Sequence, residues 1–533
     1  MIKKIFIEEN NDERTNILKL VLDTEKIPYF CIKDAKEEDF NENVFLFTKE
    51  INERAKHIII FNPELINGSL KSNEARRLRI NIKQICGILN EFNFGSEVDT
   101  PETFLYTIEE LECEKLAYIL DKQTEYPAVI KYENKVLFLF DILILFNRLI
   151  TENYFEKTKE KNVLANEFIE KIYKNLIPYF LRIPIYRKYY KNVHKKLSKE
   201  NNFITKFPID LTGFVLFELI KHCISLYTDL ISINRWPFDY EYATLITHDT
   251  EPTKFSYKKG LRILLNKLKE YNIKSTITLQ GAYVKYINEK DKEELINYDI
   301  GCHDLYHDRR FILISKEERN ERLKEAKNII ENTFGKEINF FRAPSLQRPN
   351  DLFDSLEETN YKYDSSIIDV QREEPFCGKG NSFYLPFYPI INNKKSKILE
   401  LNVSAPDCIS PYFFGYSIDE TLELFRKKIK FLERIKGLGV FIVHTPAWGK
   451  KDGKNRLILL DEIIRNTRNS WVVTLTELTK WWGARNNLFF EFINGKIYLV
   501  NKNNSEVYNI GVKINEEKIK INEILPNEKV LIK

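Results

Sequence analysis

The chain has 533 residues, of which 43% are hydrophobic and 30% are charged. This composition is typical of a soluble globular protein with about three domains, or fewer if one is a barrel. Its 82 basic and 78 acidic residues nearly cancel, and they form no basic patch of the kind that nucleic-acid binding requires. The seven cysteines are scattered and never spaced as CxxC, which argues against a disulfide framework and a zinc ribbon.

No apolar segment of the sequence indicates secretion or membrane insertion. The amino-terminal residues lack an apolar core long enough for a signal peptide. The most apolar run, residues 136–150, contains Asp141 and Arg148 and is too short to span a bilayer. We therefore expect a cytoplasmic protein without an integral membrane segment. The sequence does not predict its oligomeric state.

Residues 1–235 carry the weakest functional signal. Buried strands are predicted at 4–7 and 57–61, and helices at 73–93, 160–176 and 209–233. Three histidines of this region have no metal-ligand spacing and are interpreted as structural or solvated: His57, His194 and His222. We therefore predict an α/β region that serves as a scaffold, a dimerisation surface or a wall beside the substrate.

Residues 236–484 alternate between strands and helices, starting at Pro237, which ends the preceding helix. Eight strands are predicted at 242–247, 274–279, 298–302, 340–342, 363–366, 398–403, 439–444 and 471–474. Helices are predicted between most of them, at 257–270, 316–334, 349–360, 418–435 and 456–466. This alternation predicts a parallel sheet, and eight strands favour a closed or distorted barrel. Residues 379–397 interrupt the alternation as an inserted loop or hairpin.

The last residues, 485–533, change to short strands separated by Asn-Gly and Asn-Asn turns. These strands are predicted at 488–492, 496–500 and 508–512. They form a small β appendage that packs on the barrel or binds carbohydrate. The predicted fold is therefore α/β with three parts: an N-terminal α/β region (1–235), a distorted (β/α) barrel (236–484) and a β appendage (485–533).

His303 and His307 form the most informative pair of residues in the chain. Histidines four residues apart can bring both imidazoles to one metal ion. They directly follow the predicted strand 298–302, and parallel barrels place their chemistry at the carboxyl ends of strands. The alternative is a helix cap with two solvated imidazoles.

Other polar side chains lie at the ends of neighbouring predicted strands. They are Asp249 and Glu251 after the first strand, Arg342 at the end of the fourth, Asp364 in the fifth and His444 at the end of the seventh. Each has an ordinary explanation by itself, such as a helix cap, an ion-pair partner or a buried core imidazole. Together with the histidine pair they supply the groups needed for metal-assisted hydrolysis.

Five stretches resemble, in the same order, the NodB-type polysaccharide deacetylase family (carbohydrate esterase family four). They are 247–251, 300–307 (H-S/T-x-x-H in the family), 342–344 (R-x-P), 363–366 and 442–444 (L-x-H). The resemblance covers roughly residues 240–482 and implies a distorted barrel of NodB type. The first stretch is also similar to longer family members with a T-H-D-x-D motif, which likewise carry an unassigned N-terminal region.

The resemblance implies a metal-dependent hydrolase. The implied metal ligands are Glu251, His303 and His307, and the implied ion is Zn²⁺, with Co²⁺, Fe²⁺ or Ni²⁺ as alternatives. The implied catalytic residues are Asp249 as the base, Arg342 as its partner, His444 as the general acid, and Asp364 or Asp407 as the acidic partner of His444. No organic cofactor is expected.

Three departures from the family pattern affect the site. Thr250 stands where the second aspartate of the usual D-D motif would be, so the ligand role is assigned to Glu251, with His248 as a competing candidate. Asp304 replaces the usual serine or threonine between the two histidines. Ser345 replaces the tyrosine that often follows R-x-P.

The sequence leaves three functions open. The leading hypothesis is removal of an N-acetyl group from an amino sugar, on an intracellular glycan precursor. The second is another hydrolase of non-peptide C–N bonds on the same barrel, acting on a formamide, a ureide or a cyclic amide. The third is a non-catalytic carbohydrate-binding protein on a degenerate barrel. All three expect a glycan or small-molecule partner and no nucleic acid.

Overall fold

The computed structural model of the protein describes residues 2–66, 69–107, 112–121, 124–151, 208–308, 310–370, 380–407, 417–447 and 450–533. The predicted helix at 160–176 and His194 lie outside the described residues. In the part of the chain that is described, no helix is both long and apolar enough to cross a membrane.

Side chains cap the first turn of some of the helices. In chain order, the described α-helices are Glu13–Glu25, Asp39–Glu42, Lys83–Glu91, Ile142–Thr151, Thr212–Ser225, Leu261–Glu270, Glu289–Leu295, Lys316–Phe334, Leu352–Glu358, Ile418–Ile435, Lys450–Asn466 and Leu475–Asn486. Ser417 and Thr474 each form a capping box with the glutamate three residues later. A π-helical turn, Ser256–Gly260, precedes one barrel helix.

The N-terminal region is built on a nine-stranded sheet that changes from parallel to antiparallel pairing. In spatial order its strands are Phe30–Cys31, Ile5–Ile7, Val44–Phe47, His57–Ile60, Lys135–Phe138, Thr124–Tyr132, Glu114–Asp121, Ser69–Ile80 and Glu97–Thr107. The first five pair in parallel, and the later neighbours are antiparallel. The strands predicted at 4–7 and 57–61 are confirmed.

The predicted helix at 73–93 is wrong over its first half. Its first residues belong to the strand Ser69–Ile80, and only Lys83–Glu91 is helical. At the end of the strand, Leu78 and Ile80 are buried while the arginines beside them are more exposed. This two-residue alternation is the pattern of a strand with one covered face.

The predicted helix at 209–233 ends early, at Ser225. Ile231–Ile233 is instead a strand that pairs antiparallel with Val507–Ile514, near the other end of the chain. Local hydrophobic periodicity cannot predict a strand whose partner is so distant in sequence, because pairing and burial decide its conformation.

A second nine-stranded sheet, entirely parallel, carries the candidate site. In spatial order its strands are Leu399–Glu400, Tyr363–Asp364, Phe340–Phe341, Asp299–Cys302, Thr276–Leu279, Ala243–Asp249, Leu438–Ile442 and Ala405–Pro406, with Trp471–Val473 also pairing to Ala243–Asp249. The sheet curls, but its two end strands do not pair with each other within the described residues. The predicted distorted α/β barrel therefore takes the form of an open, curled parallel sheet.

Most predicted barrel elements are present. Two helices have the predicted bounds: Lys316–Phe334 and Ile418–Ile435. The inserted segment contains the predicted hairpin, which pairs Ile390–Ile391 with Lys394–Lys395. The sequence did not predict the helices Glu289–Leu295 and Leu475–Asn486 or the strand Ala405–Pro406.

The C-terminal residues form two small antiparallel sheets. One joins Leu488–Ile493, Lys496–Asn501 and Lys529–Leu531. The other joins Ile231–Ile233, Val507–Ile514 and Glu517–Ile524. Their buried side chains form one cluster with Trp481 of the last barrel helix, so the appendage packs on the barrel.

A buried ion-pair cluster joins the N-terminal region to the barrel. Nε of Arg235 lies 2.9 Å from Oε1 of Glu25, and its Nη1 donates to the carbonyl oxygen of Ile435, 2.9 Å away. Lys221 pairs with Glu25 at 3.4 Å. Burial would raise the pKa of the Glu25 carboxyl, but Arg235 and Lys221 outweigh burial and hold that pKa below its ordinary value.

Glu25→Ala is expected to lower the free energy of unfolding by about 3 kcal/mol, because it leaves the mostly buried Arg235 guanidinium with only the more distant Glu218 carboxylate, 3.5 Å away. Urea unfolding measures the loss. Glu9→Ala is the matched control, since its pair with Lys33 is more than half exposed and should contribute less than about 1 kcal/mol. Equal losses in the two variants would contradict the role given to Glu25.

Candidate active site

Strand register brings four polar residues to the carboxyl edge of the curled sheet. Asp249 pairs with Thr278 in the next strand, and the residues just before His303 and Arg342 pair with each other. On the other side of the strand that carries Asp249, Thr247 pairs with Ile442, two residues before His444. Because all these strands are parallel, their four side chains leave the sheet at the same end.

Asp249 and Arg342 form a buried ion pair. Nη1 of Arg342 lies 2.9 Å from Oδ1 of Asp249, and the Thr278 hydroxyl donates to the same oxygen from 2.8 Å. Arg342 is fully buried and Asp249 is 3% exposed. Burial would raise the pKa of the Asp249 carboxyl, but Arg342 and two nearby histidines hold that pKa below its ordinary value. Asp249 is therefore a carboxylate at neutral pH.

The other hydrogen bonds of Arg342 fix its guanidinium in place. Nη1 also donates to the Thr247 hydroxyl at 2.7 Å. Nε donates to the Ser365 carbonyl oxygen at 3.1 Å, and Nη2 to the Ser365 hydroxyl at 2.9 Å. This fork of donors requires a planar guanidinium, which a lysine could not replace.

His303 lies against the same loop as Arg342. Its Nδ1 is 2.8 Å from the Arg342 carbonyl oxygen, so Nδ1 carries the proton and the lone pair remains on Nε2. Its ring centroid is 5.3 Å from that of His307. Burial lowers the pKa of His303 to about 4, so the ring is neutral at pH 7.

Asp304 holds the turn between the two histidines. It has a φ of 62°, and its carboxylate is fully buried against Arg322. Arg322 also pairs with Asp308 at 3.1 Å. Burial raises the pKa of Asp304 to about 6 even though Arg322 opposes that shift. The residue that replaces the usual serine or threonine is thus an ion-pair partner that fixes the turn.

His444 is paired with Asp407. Nδ1 of His444 lies 2.6 Å from Oδ1 of Asp407, and its backbone N–H donates to Oδ2 from 2.9 Å. Burial would lower the pKa of His444, but Asp407 raises it to about 9, so the ring is an imidazolium at neutral pH. Of the two acids that the sequence left open, Asp407 is the one that contacts His444.

Asp364 makes different contacts from those predicted. The Ser366 hydroxyl donates to its Oδ1 from 2.7 Å and accepts the Ala343 N–H at 2.9 Å. Its register partner Glu400 is also fully buried, and burial raises the pKa of both carboxyls. The prediction of Asp364 as a catalytic partner is corrected: it supports the loop that carries Arg342.

Arg456, which was not among the predicted site residues, pairs with Glu251. Its Nη2 lies 3.2 Å from Oε1 of Glu251, and its Nη1 lies 3.5 Å from Oδ2 of Asp407. Burial would raise the pKa of Glu251, but Arg456, followed by His444, holds that pKa below its ordinary value. No motif marks Arg456, which begins the predicted helix at 456–466.

Thr250 and the competing ligand candidate His248 make other contacts. The Thr250 hydroxyl donates to the Thr278 carbonyl oxygen at 2.5 Å. His248 lies between two residues whose side chains contact Arg342, so it faces the opposite side of the strand. Its Nδ1 is 2.7 Å from the Val443 carbonyl oxygen, and its buried Nε2 has no hydrogen-bond partner among the described residues.

These contacts decide how well the donor set fits a metal ion. Among the described residues, no three histidine, cysteine, aspartate or glutamate side chains are arranged to hold a metal. His303 and His307 are adjacent, but the third implied ligand, Glu251, is in an ion pair with Arg456. The residues as placed therefore do not fit a three-ligand metal centre.

The sequence of this region matches a known family. The family model described as polysaccharide deacetylase matches residues 241–363, which is less than half of the chain. That range contains the first three motifs and the start of the fourth, and it supports the family resemblance of the barrel. A search of curated proteins finds no match.

Solved structures show weaker similarity. A Mycobacterium smegmatis protein assigned as a polysaccharide deacetylase is 18% identical, with a TM-score of 0.37 over 47% of this chain and 93% of that one. The allantoinase Puue is 13% identical, with a TM-score of 0.38 over 47% and 93%. A family 4 acetyl xylan esterase from Clostridium thermocellum, in complex with a cobalt ion, is 17% identical, with a TM-score of 0.28 over 45% and 90%. These scores are too low to assign an activity or a substrate to this chain.

Proposed function

We propose that the barrel is a hydrolase of the polysaccharide deacetylase type, which removes an N-acetyl group from an amino sugar. The observation that carries this proposal is the pairing of Asp249 with Arg342 and of His444 with Asp407 at one sheet edge. The Arg342 pair lowers the pKa of Asp249, and the Asp407 pair raises the pKa of His444. At neutral pH the site therefore holds an ionised carboxylate and a protonated imidazole. The family match over residues 241–363 supports the same reaction class.

Each residue then has a defined role in amide hydrolysis. Asp249 accepts a proton from the attacking water, and Arg342 keeps Asp249 oriented and ionised. His444 donates its proton to the nitrogen of the leaving amine, so the products are acetate and the free amino sugar. We propose that a backbone N–H near Ser345 donates a hydrogen bond to the oxyanion of the tetrahedral intermediate. Ser345 has a φ of 55°, so the chain turns at this point. Asp407 positions His444 and is a positioning residue.

Metal dependence is also proposed, with Zn²⁺ as the ion and Co²⁺, Fe²⁺ or Ni²⁺ as alternatives. It rests on the family resemblance and on the adjacent His303 and His307 rings. The donor set as placed does not support it, because Glu251 is bound to Arg456. No proton transfer described above depends on the ion.

We propose that the substrate is an intracellular glycan precursor and that the protein is cytoplasmic. We also propose that it is related to the longer T-H-D-x-D/E members of the family, and that the chain divides into three domains at 1–235, 236–484 and 485–533. The ion-pair cluster around Glu25 supports a scaffold role for the first part.

Acetate release from a panel of substrates tests the proposed function. N-acetylated amino sugars, free and nucleotide-linked, are incubated with the full chain, beside N-formyl sugars and small ureides. We expect acetate from at least one N-acetyl sugar, and at least about a hundredfold slower release with Asp249→Asn. Turnover only of formyl or ureide substrates would overturn the substrate assignment. Undiminished activity in Asp249→Asn would overturn the role of Asp249.

A second candidate function is a non-catalytic carbohydrate-binding protein. The incomplete donor set favours it, since Thr250 and Glu251 both have partners within the chain. Titration calorimetry separates the two candidates. Glycan binding with no product in the panel, in the presence of added zinc, would support binding alone.

A further inference from the structure

Arg456 is a cation built into the candidate site. It is 6% exposed, and its guanidinium contacts Glu251 at 3.2 Å and Asp407 at 3.5 Å. Its Nη1 also donates to the Thr445 carbonyl oxygen at 3.4 Å. A guanidinium cannot lose its proton in a protein, so this positive charge is permanent.

A divalent ion bound by His303 and His307 would need a third protein ligand, which in catalytic zinc sites with two histidines is commonly a carboxylate. Glu251 is the carboxylate that the sequence offers for this position. Its Oε1 oxygen is already occupied by Arg456. Metal binding at Oε1 would break this ion pair. Metal binding at either carboxylate oxygen would bring a second positive charge near the guanidinium, and like charges in a mostly buried site repel strongly.

We propose that Arg456 competes with a divalent cation for Glu251, so that the metal occupancy of this site is controlled by a residue of the chain itself. This inference rests on the proposed function, because it concerns the metal site of the same reaction. Removing the charge at position 456 frees Glu251 to join the two histidines. The variant therefore binds a divalent cation more tightly than the wild type.

Calorimetric titration of the full chain with Zn²⁺, and with Co²⁺ as a spectroscopic probe, tests the competition. Arg456→Gln is expected to bind roughly tenfold to a hundredfold more tightly than the wild type, the range expected for losing a charge-assisted hydrogen bond. Arg456→Lys keeps the charge and is expected to stay within about threefold of the wild type. Arg426→Gln, which removes an exposed arginine paired with Glu462, is the matched control.

Two double variants test whether the increase in metal affinity arises at this site. Arg456→Gln combined with His303→Ala is expected to show no increase, and neither is Arg456→Gln combined with Glu251→Gln. If Arg456→Gln does not fold, as judged by circular dichroism, Arg456→Met retains the packing of the side-chain stem and replaces it. Equal affinity in the wild type and the folded charge-removal variant would overturn the proposal. So would an equal gain in Arg456→Lys, which would indicate only a loosened structure.

The outcomes separate this inference from the proposed function, because the titration needs no turnover. Tighter metal binding by Arg456→Gln, without acetate release from any sugar, would support the competition and contradict the deacetylase function. Acetate release with unchanged metal affinity in the Arg456 variants would support the deacetylase function and contradict the competition.

Discussion

Asp249→Asn is expected to reduce turnover by a factor of about 10²–10⁴, the usual contribution of a positioned general base. It should also lower the free energy of unfolding by about 3–5 kcal/mol, because the fully buried Arg342 loses its charged partner. Acetate release and urea unfolding of the same preparation measure the two effects. The Asn side chain can still accept hydrogen bonds from Arg342 and Thr278, so the site geometry is expected to persist.

The control for Asp249→Asn is Asp369→Asn. Asp369 is fully buried and pairs with Lys428 at 2.8 Å, outside the candidate site. It should show a similar loss of stability while the folded fraction keeps its turnover. If both variants lose turnover equally, instability explains the effect and Asp249 is not identified as the base.

Asp407→Asn is expected to move the alkaline limit of activity from about pH 9 to below about pH 6.5. Burial would then lower the pKa of His444 without an adjacent carboxylate to oppose it. The general acid must be protonated, so activity falls as pH rises through this pKa. The pH dependence of kcat/KM measures the shift, and at pH 8 the variant should lose at least about tenfold.

The same pKa shift has a consequence for stability. The pKa of His444 is higher in the folded protein than in the unfolded chain, where it is about 6.5. The stability that His444 contributes is therefore complete below about pH 6.5 and is lost as pH rises through about 9. In Asp407→Asn, the free energy of unfolding measured with urea should no longer show this decrease at alkaline pH.

Asp364→Asn is the control for the His444 predictions, because Asp364 contacts Ser366 rather than His444. It should leave the alkaline limit at about pH 9. A downward shift in Asp364→Asn, with none in Asp407→Asn, would overturn the assignment of Asp407 as the partner of His444.

The sequence by itself determined the alternating α/β architecture and the sheet edge at which the candidate site lies. Alternation of strands and helices is a local pattern, and the helices Lys316–Phe334 and Ile418–Ile435 are present with the predicted bounds. Parallel strands end at one edge, so residues that follow them in sequence must lie near one another. The family resemblance implied that Arg342 pairs with Asp249, and the curl of the sheet brings the two residues into contact across the two strands between them.

Only the tertiary structure decided which charged groups meet. Asp407 and Asp364 both lie near strand ends, and only the pairing of Ala405–Pro406 with Leu438–Ile442 brings Asp407 to His444. Arg456 lies on a helix that no motif marks, and the packing of that helix brings its guanidinium to Glu251. A long side chain on a packed helix can reach several partners, so its partner depends on three-dimensional position, which local sequence patterns do not encode.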